Sequence, residues 1–176
     1  MNNNPLPAPP LPPEDLRRPL VQVNADGALP HIGLVGDTYT VLLSGADTQG
    51  RYCLIDMHIP PGGGPPPHRH DFEESFTVLE GEIEAVFRGQ KATVRGGDTI
   101  QIPANAPHSF KNVSARPARL LCICAPAGQE EFFRAVGVSV GGRTTPPSPP
   151  TPAEQASLMA KMVPLLVQYR TEMVPP

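Results

Sequence analysis

The sequence predicts an all-β fold, a barrel or sandwich of short strands with a short helical extension at the C-terminal end. Three observations carry this. Short runs rich in β-branched and aromatic residues recur from Thr38 to Cys124. Gly, Pro, Asn and Asp separate those runs at close intervals. Helical spacing of apolar residues is found only after Gly128.

The elements follow in order. Seven of the 25 prolines lie in residues 1–19, so residues 1–34 read as an N-terminal arm that cannot form sheet interior or regular helix. The barrel is expected over residues 35–140. Thr38–Leu43 and Arg51–Ile59 read as strands joined by the turn-rich loop SGADTQG. In the second of these, Cys53, Ile55, Met57 and Ile59 alternate with Tyr52, Leu54, Asp56 and His58. Strands are then expected at Ser75–Leu79, Ile83–Arg88, Lys91–Arg95, Thr99–Ile102, His108–Val113 and Ala118–Cys124. Gln129–Val136 reads as a short helix, with Phe132, Phe133 and Val136 turned to the barrel.

Residues 141–152, GGRTTPPSPPTP, read as a polyproline-like linker. Residues 153–176 form the C-terminal helical segment. Thr151 can cap it, Pro152 suits the first helical position, and Glu154 completes a capping box. Leu158, Met162, Leu165 or Leu166, and Tyr169 make its apolar stripe, and Pro164 is expected to kink or break it.

Bulk properties exclude some functions. A chain of 176 residues with 14 Lys+Arg against 17 Asp+Glu suits one domain. It has no basic stripe for nucleic acid and no apolar run approaching the eighteen or so residues of a membrane span. The N-terminus lacks a basic region followed by an apolar one, so a cytoplasmic location is expected. Cys53, Cys122 and Cys124 cannot all pair internally. Buried free thiols are expected, over a thiolate ligand or a redox pair.

The chemistry lies in GGGPPPHRHDFEESFTVLEG, residues 62–81. Strand period is two, so His68 and His70 project together where the segment is extended. Pro65–Pro67 favour that extension. Glu74 keeps the parity of the two His and Glu73 does not, unless a turn at Asp71-Phe72 resets the phase. Imidazole nitrogen and carboxylate oxygen are ligands of Zn, Fe, Ni and Cu. His108, in GGDTIQIPANAPHSFKN, is a fourth candidate. Phe76 shares the parity of the ligands, and Phe110 the face of His108. His31 and His58 have no paired ligand nearby in sequence and are not expected to act.

These residues resemble the cupin superfamily. Its first motif, G-x5-HxH-x3-E-x6-G, is met by Gly62, His68, His70, Glu74 and Gly81. Its second, G-x5-P-x-G-x2-H-x3-N, is met by Gly97, Pro103, His108 and Asn112, with Asn105 in place of the middle glycine. Asn tolerates positive φ better than other non-glycine residues, so the turn is expected to survive. The resemblance implies a double-stranded β-helix, or jelly-roll, barrel. It also implies one divalent transition metal ion (Fe, Mn, Ni, Cu, Co or Zn) held by His68, His70, Glu74 and His108.

Within the superfamily the chain is most similar to small single-domain cupins related to quercetin 2,3-dioxygenase. That implies a metal-dependent dioxygenase acting on a small aromatic or diketone-like substrate, with Glu74 also serving as base. Phe76, Phe110 and Met57 would form the apolar wall. A non-redox isomerase, epimerase or lyase of a small hydroxy or keto acid, or a non-catalytic binding cupin, is the alternative. A homodimer is expected from the apolar terminal elements and sheet edges.

Overall fold

The computed structural model describes residues 10–175, so the first nine residues of the expected arm and Pro176 lie outside the described residues. The described chain runs β1 (His31–Leu34), β2 (Asp37–Leu43), α1 (Gly45–Thr48), β3 (Cys53–Ile59), β4 (His68–His70), β5 (Glu73–Glu80), β6 (Glu82–Phe87) and β7 (Gln90–Arg95). It continues through β8 (Thr99–Ile102), β9 (His108–Lys111), β10 (Ala118–Ala125), α2 (Gln129–Val136), β11 (Val138–Val140), α3 (Pro152–Gln168) and β12 (Thr171–Met173).

Two antiparallel sheets face each other. One has the order β11-β1-β2-β3-β10-β5-β8 and the other β12-β4-β9-β6-β7. This is the expected jelly-roll: β1-β2-β3 and β6-β7 are sequential hairpins, while β10 lies between β3 and β5 and β9 between β4 and β6, which joins distant parts of the chain within each sheet. The core lies between them. Ile55, Ile59, Val78, Ile83 and Leu120 are completely shielded, and each contributes roughly 1.5–3 kcal/mol by leaving water.

Local choices explain the turns that set the register. Gly81 sits at φ 76° between β5 and β6, and a Cβ there would meet the Pro117 carbonyl oxygen at 2.7 Å, so only glycine fits. Asn105 adopts φ 66° and its amide donates to the His70 carbonyl at 2.6 Å. The replaced glycine therefore costs the turn little. Asn112 is fully buried and its side-chain amide donates to the carbonyls of Ile59 and Arg116 at 2.9 and 2.8 Å. It ties β9 to the end of β3 and the start of β10.

Four features depart from expectation. The barrel begins at His31, because β1 pairs with both β2 and β11; the last residues of the arm are a strand. The expected loop at SGADTQG contains α1, capped reciprocally by Ser44 and Asp47. Residues 141–147 are not a free tether. Thr145 accepts a hydrogen bond from the Thr38 hydroxyl, and Arg143 reaches Asp56 on β3, so this segment covers the outer face of the larger sheet.

Finally, α3 runs unbroken through Pro164. Its stripe of Leu158, Met162, Leu165, Leu166 and Tyr169 packs on the core. That packing, on both sides of the proline, outweighs the one backbone hydrogen bond that proline removes. The chain then returns as β12 on the edge of β4, pairing Thr171 with His70 and Met173 with His68. The start of α3 is as expected, with Thr151 and Glu154 forming the capping box. No helix among the described residues is long and apolar enough to cross a membrane.

Candidate metal centre

The four expected ligands come together where the two sheets meet. His68 and His70 stand on β4 and His108 on β9, all in the smaller sheet; Glu74 stands on β5 in the larger one. His68 and His108 are directly opposed across the β4–β9 pair, with ring centroids 4.3 Å apart. One ligating atom from each of the four lies within 4.8 Å of the others. Glu74 is buried and Glu73 exposed, so the phase survives the bend at Asp71-Phe72. Glu73 instead accepts from Gln101 and from the Ala104 amide on the outer surface.

Each imidazole is oriented by a backbone carbonyl. Nδ1–H of His68, His70 and His108 donates to the carbonyls of Pro66, Phe72 and Ala106 at 2.9, 3.0 and 2.9 Å. A carbonyl only accepts, so these contacts place the proton on Nδ1 and leave the Nε2 lone pair facing inward. His70 is further held by Phe72, whose ring stacks on it at 3.7 Å. Nε2 of His70 and of His108 lie 3.0 and 3.2 Å from Oε2 of Glu74. Acceptor lone pairs thus converge on an anionic oxygen, an arrangement that a cation satisfies.

Burial pushes His68 down to about 4, with the neighbouring His108 ring adding to the effect, so its imidazole is neutral at neutral pH. Burial works to raise Glu74, and it is held well below the usual range only where His108 or His70 carries a proton on Nε2, the position a cation would take. Three neutral imidazoles and one carboxylate fit a divalent transition ion and leave a formal charge near +1. His68 is only partly buried, so the cluster is reached from its side.

The expected apolar wall is partly assembled. Phe76 and Phe110 are both buried and meet edge to face at 5.2 Å, two residues along from Glu74 and His108. Met57 is buried on β3, separated from β5 by β10. His31 bonds Thr40 and His58 lies on β3, both outside the cluster. A groove of about 520 Å³ lined by Val21, His31, Val41 and Val138, among others, contains none of the four ligands.

The sequence marks Cys122 and Cys124 as buried thiols but does not place them at the site. On β10 they lie behind Glu74, with Sγ 3.2 and 3.6 Å from Oε1 and the two sulfurs 3.5 Å apart. All three cysteines are free and buried, as expected. The bond with Cys124 works to lower Cys122, but burial and the Glu74 carboxylate outweigh it, and Cys122 is pushed up to about 12.

Comparison with known proteins agrees with this geometry. The cupin-domain family model matches residues 55–124. Quercetin 2,3-dioxygenase of Bacillus subtilis is 27% identical over 134 residues, 70% of this chain but only 40% of the relative's length. Among solved structures, the polyketide cyclase RemF from Streptomyces resistomycificus superposes with a TM-score of 0.53 at 25% identity, over 60% of this chain and 80% of that one. A predicted oxalate decarboxylase from Thermotoga maritima superposes at 0.54 and 21% identity, over 60% of this chain and 98% of that one. Family match, jelly-roll topology and convergent His68, His70, Glu74 and His108 together identify a cupin domain at residues 55–124.

Proposed function

We propose that the chain is a metal-dependent dioxygenase-type oxidoreductase acting on a small aromatic or diketone-like substrate. The observation that carries this reading is the convergence of ligating atoms from His68, His70, His108 and Glu74, all but His68 buried. The similarity to the B. subtilis quercetin 2,3-dioxygenase supports the choice of reaction, over the part of that enzyme the chain spans. His68, His70, Glu74 and His108 would hold the ion. When bound, it would supply Lewis acidity and a place for an oxyanion beside O2.

The chain's own residues do the rest. Backbone carbonyls lock the three rings in one tautomer, so the site is organised before substrate arrives. Glu74 is held anionic, the state required of a base, and takes the proton of a substrate hydroxyl. Phe76 and Phe110 present apolar surface to a planar substrate and exclude water from the reacting centre. The test is O2 uptake by protein loaded in turn with Fe, Mn, Ni, Cu and Co, across phenolic and β-diketone substrates. Substrate-dependent uptake is expected with at least one metal; none with any of them would overturn the reading.

The similarity to a polyketide cyclase favours a second, non-redox reading, a metal-dependent isomerase, epimerase or lyase. Zinc would then suffice. Turnover with zinc under anaerobic conditions selects this class, and a strict requirement for O2 eliminates it.

A further inference from the structure

Glu74 differs from the three histidines in offering two equivalent ligating atoms. Only Oε2 faces the imidazoles, at 3.0 and 3.2 Å from His70 and His108. Oε1 points the other way, into the β10 side of the core. Among the described residues, its hydrogen-bond donors are the thiols of Cys122 at 3.2 Å and Cys124 at 3.6 Å. Both cysteines are at most 2% exposed. A buried anionic oxygen without a donor would be costly.

We propose that Cys122, backed by Cys124, is a positioning residue that holds Oε1 of Glu74 and so presents the carboxylate to the site through Oε2 alone. The inference rests on reading His68, His70, Glu74 and His108 as a metal site. β10 lies beside β5 in the larger sheet, with Cys124 paired to Glu74 and Cys122 to Phe76, so the thiols meet the carboxylate from its own sheet while the imidazoles meet it from the other. A one-oxygen carboxylate and three imidazoles make four donors. A five- or six-coordinate ion then keeps one or two positions for substrate and O2. A carboxylate free to rotate would offer both oxygens and take one of those positions. Outer partners of metal ligands typically change affinity by about 10- to 100-fold, although a thiol is a weak donor.

The experiment loads the full-length chain with Co²⁺ and compares it with Cys122→Val and Cys122→Ser. Valine keeps the volume and removes the proton, while serine returns a donor. Cys122→Val is expected to bind Co²⁺ with affinity altered by about tenfold or more. Its visible Co²⁺ bands should weaken, as they do when coordination number rises. Cys122→Ser should restore both. Should Cys122→Val fail to fold, judged by far-ultraviolet circular dichroism, Cys122→Ala carries the same comparison. Unchanged affinity and spectrum in the folded variant, with wild type binding normally, overturn this inference and leave the metal site standing. A sulfur-to-cobalt charge-transfer band in the wild type also overturns it, since the thiols would then be ligands. Absence of Co²⁺ binding by the wild type overturns the metal reading itself, and this inference with it.

Discussion

Glu74 and Asp56 are both buried carboxylates in the larger sheet, and their surroundings are opposite. Asp56 faces out from β3 under residues 141–147 and meets two guanidinium groups, Arg119 at 2.7 Å and Arg143 at 3.7 Å. Arg143 is bonded in turn to Asp26 at 2.6 Å. Its charge is answered by cations the chain carries itself. Glu74 faces in, and its neighbours are three imidazoles with inward lone pairs and two thiols. Among the described residues, none there supplies a permanent positive charge. A buried carboxylate with its own arginines reads as structure, and one ringed by neutral donors reads as a place for a cation.

The largest effect should come from breaking the uncompensated case. Glu74→Ala and His68→Ala are each expected to weaken metal binding by more than about a hundredfold, beyond the range of outer-shell partners, while the β-rich fold persists. Elemental analysis of purified variants measures this. Full metal stoichiometry in both would make Glu74 an ordinary buried acid and remove the contrast with Asp56.

Asp37 sharpens the comparison, because it is buried and, among the described residues, bonded to neither an arginine nor a candidate metal ligand. It accepts from the Tyr39 hydroxyl and the Gly64 amide. Burial dominates, and its carboxyl is pushed from 3.8 up to about 7. The folded state therefore holds this proton more tightly than the unfolded chain does. The resulting stability is whole below about pH 4 and is lost as pH rises to about 7, at most about 4 kcal/mol at roughly 1.4 kcal/mol per unit. His68, whose folded value is depressed, acts in the opposite sense in the same window. The wild type must therefore be compared with Asp37→Asn. Chemical denaturation at pH 4, 5.5 and 7 should show the variant gaining on wild type as pH rises. Parallel profiles would mean that Asp37 is as well compensated as Asp56.

Asp56→Ala comes next. Removing one partner of a buried pair costs several kcal/mol. Here Arg119 and Arg143 keep 27% and 18% of their side-chain surface exposed, so about 3 kcal/mol is expected. Part of that should vanish in an Asp56→Ala/Arg119→Ala double-mutant cycle. Among the described residues Oδ1 of Asp56 has no hydrogen-bond partner, so most of the coupling should run through Oδ2. Metal content should not move. If it falls, the two carboxylates are not independent.

How much of this was legible in the sequence follows from distance along the chain. His68, His70 and Glu74 lie within seven residues and share strand parity, and His108 and Asn105 sit in a second compact motif. Their geometry is local, so spacing carries it. The thiol contact behind Glu74 is 48 residues away and depends on the register of β10 against β5, which contains an irregularity at Arg119/Leu120. Nothing in the local pattern states that register. Asp56 alternates as an outward residue should, and Arg119 of β10 and Arg143 of the 141–147 segment close over it from distant parts of the chain. β1 and β12 are runs of four and three residues, too short for alternation to mark them, and exist because β2 and β4 offer open edges. The local cost of Pro164 points to a break in α3, but the packing of Leu165, Leu166 and Tyr169 carries the helix through it.

The smallest effect should come from an exposed carboxylate. Glu154 accepts from the Thr151 amide at 2.8 Å, and that bond lowers its pKa. It satisfies a helix N-terminus that water would otherwise serve. α3 has no fully buried residue, so its first turn is held by this cap more than by packing. Glu154→Ala should speed amide exchange in that turn, and Glu154→Gln, which keeps the acceptor, should not. β12 follows α3 and pairs along β4, where it flanks His68 and His70. If loosening the cap also frees β12, exchange will rise at Thr171–Met173. Metal content should still hold, because Nδ1 of each histidine is fixed by Pro66, Phe72 or Ala106 and none by β12. A loss of metal in Glu154→Ala would mean that the C-terminal strand is part of what orients the ligands, and that exposure alone does not rank these carboxylates.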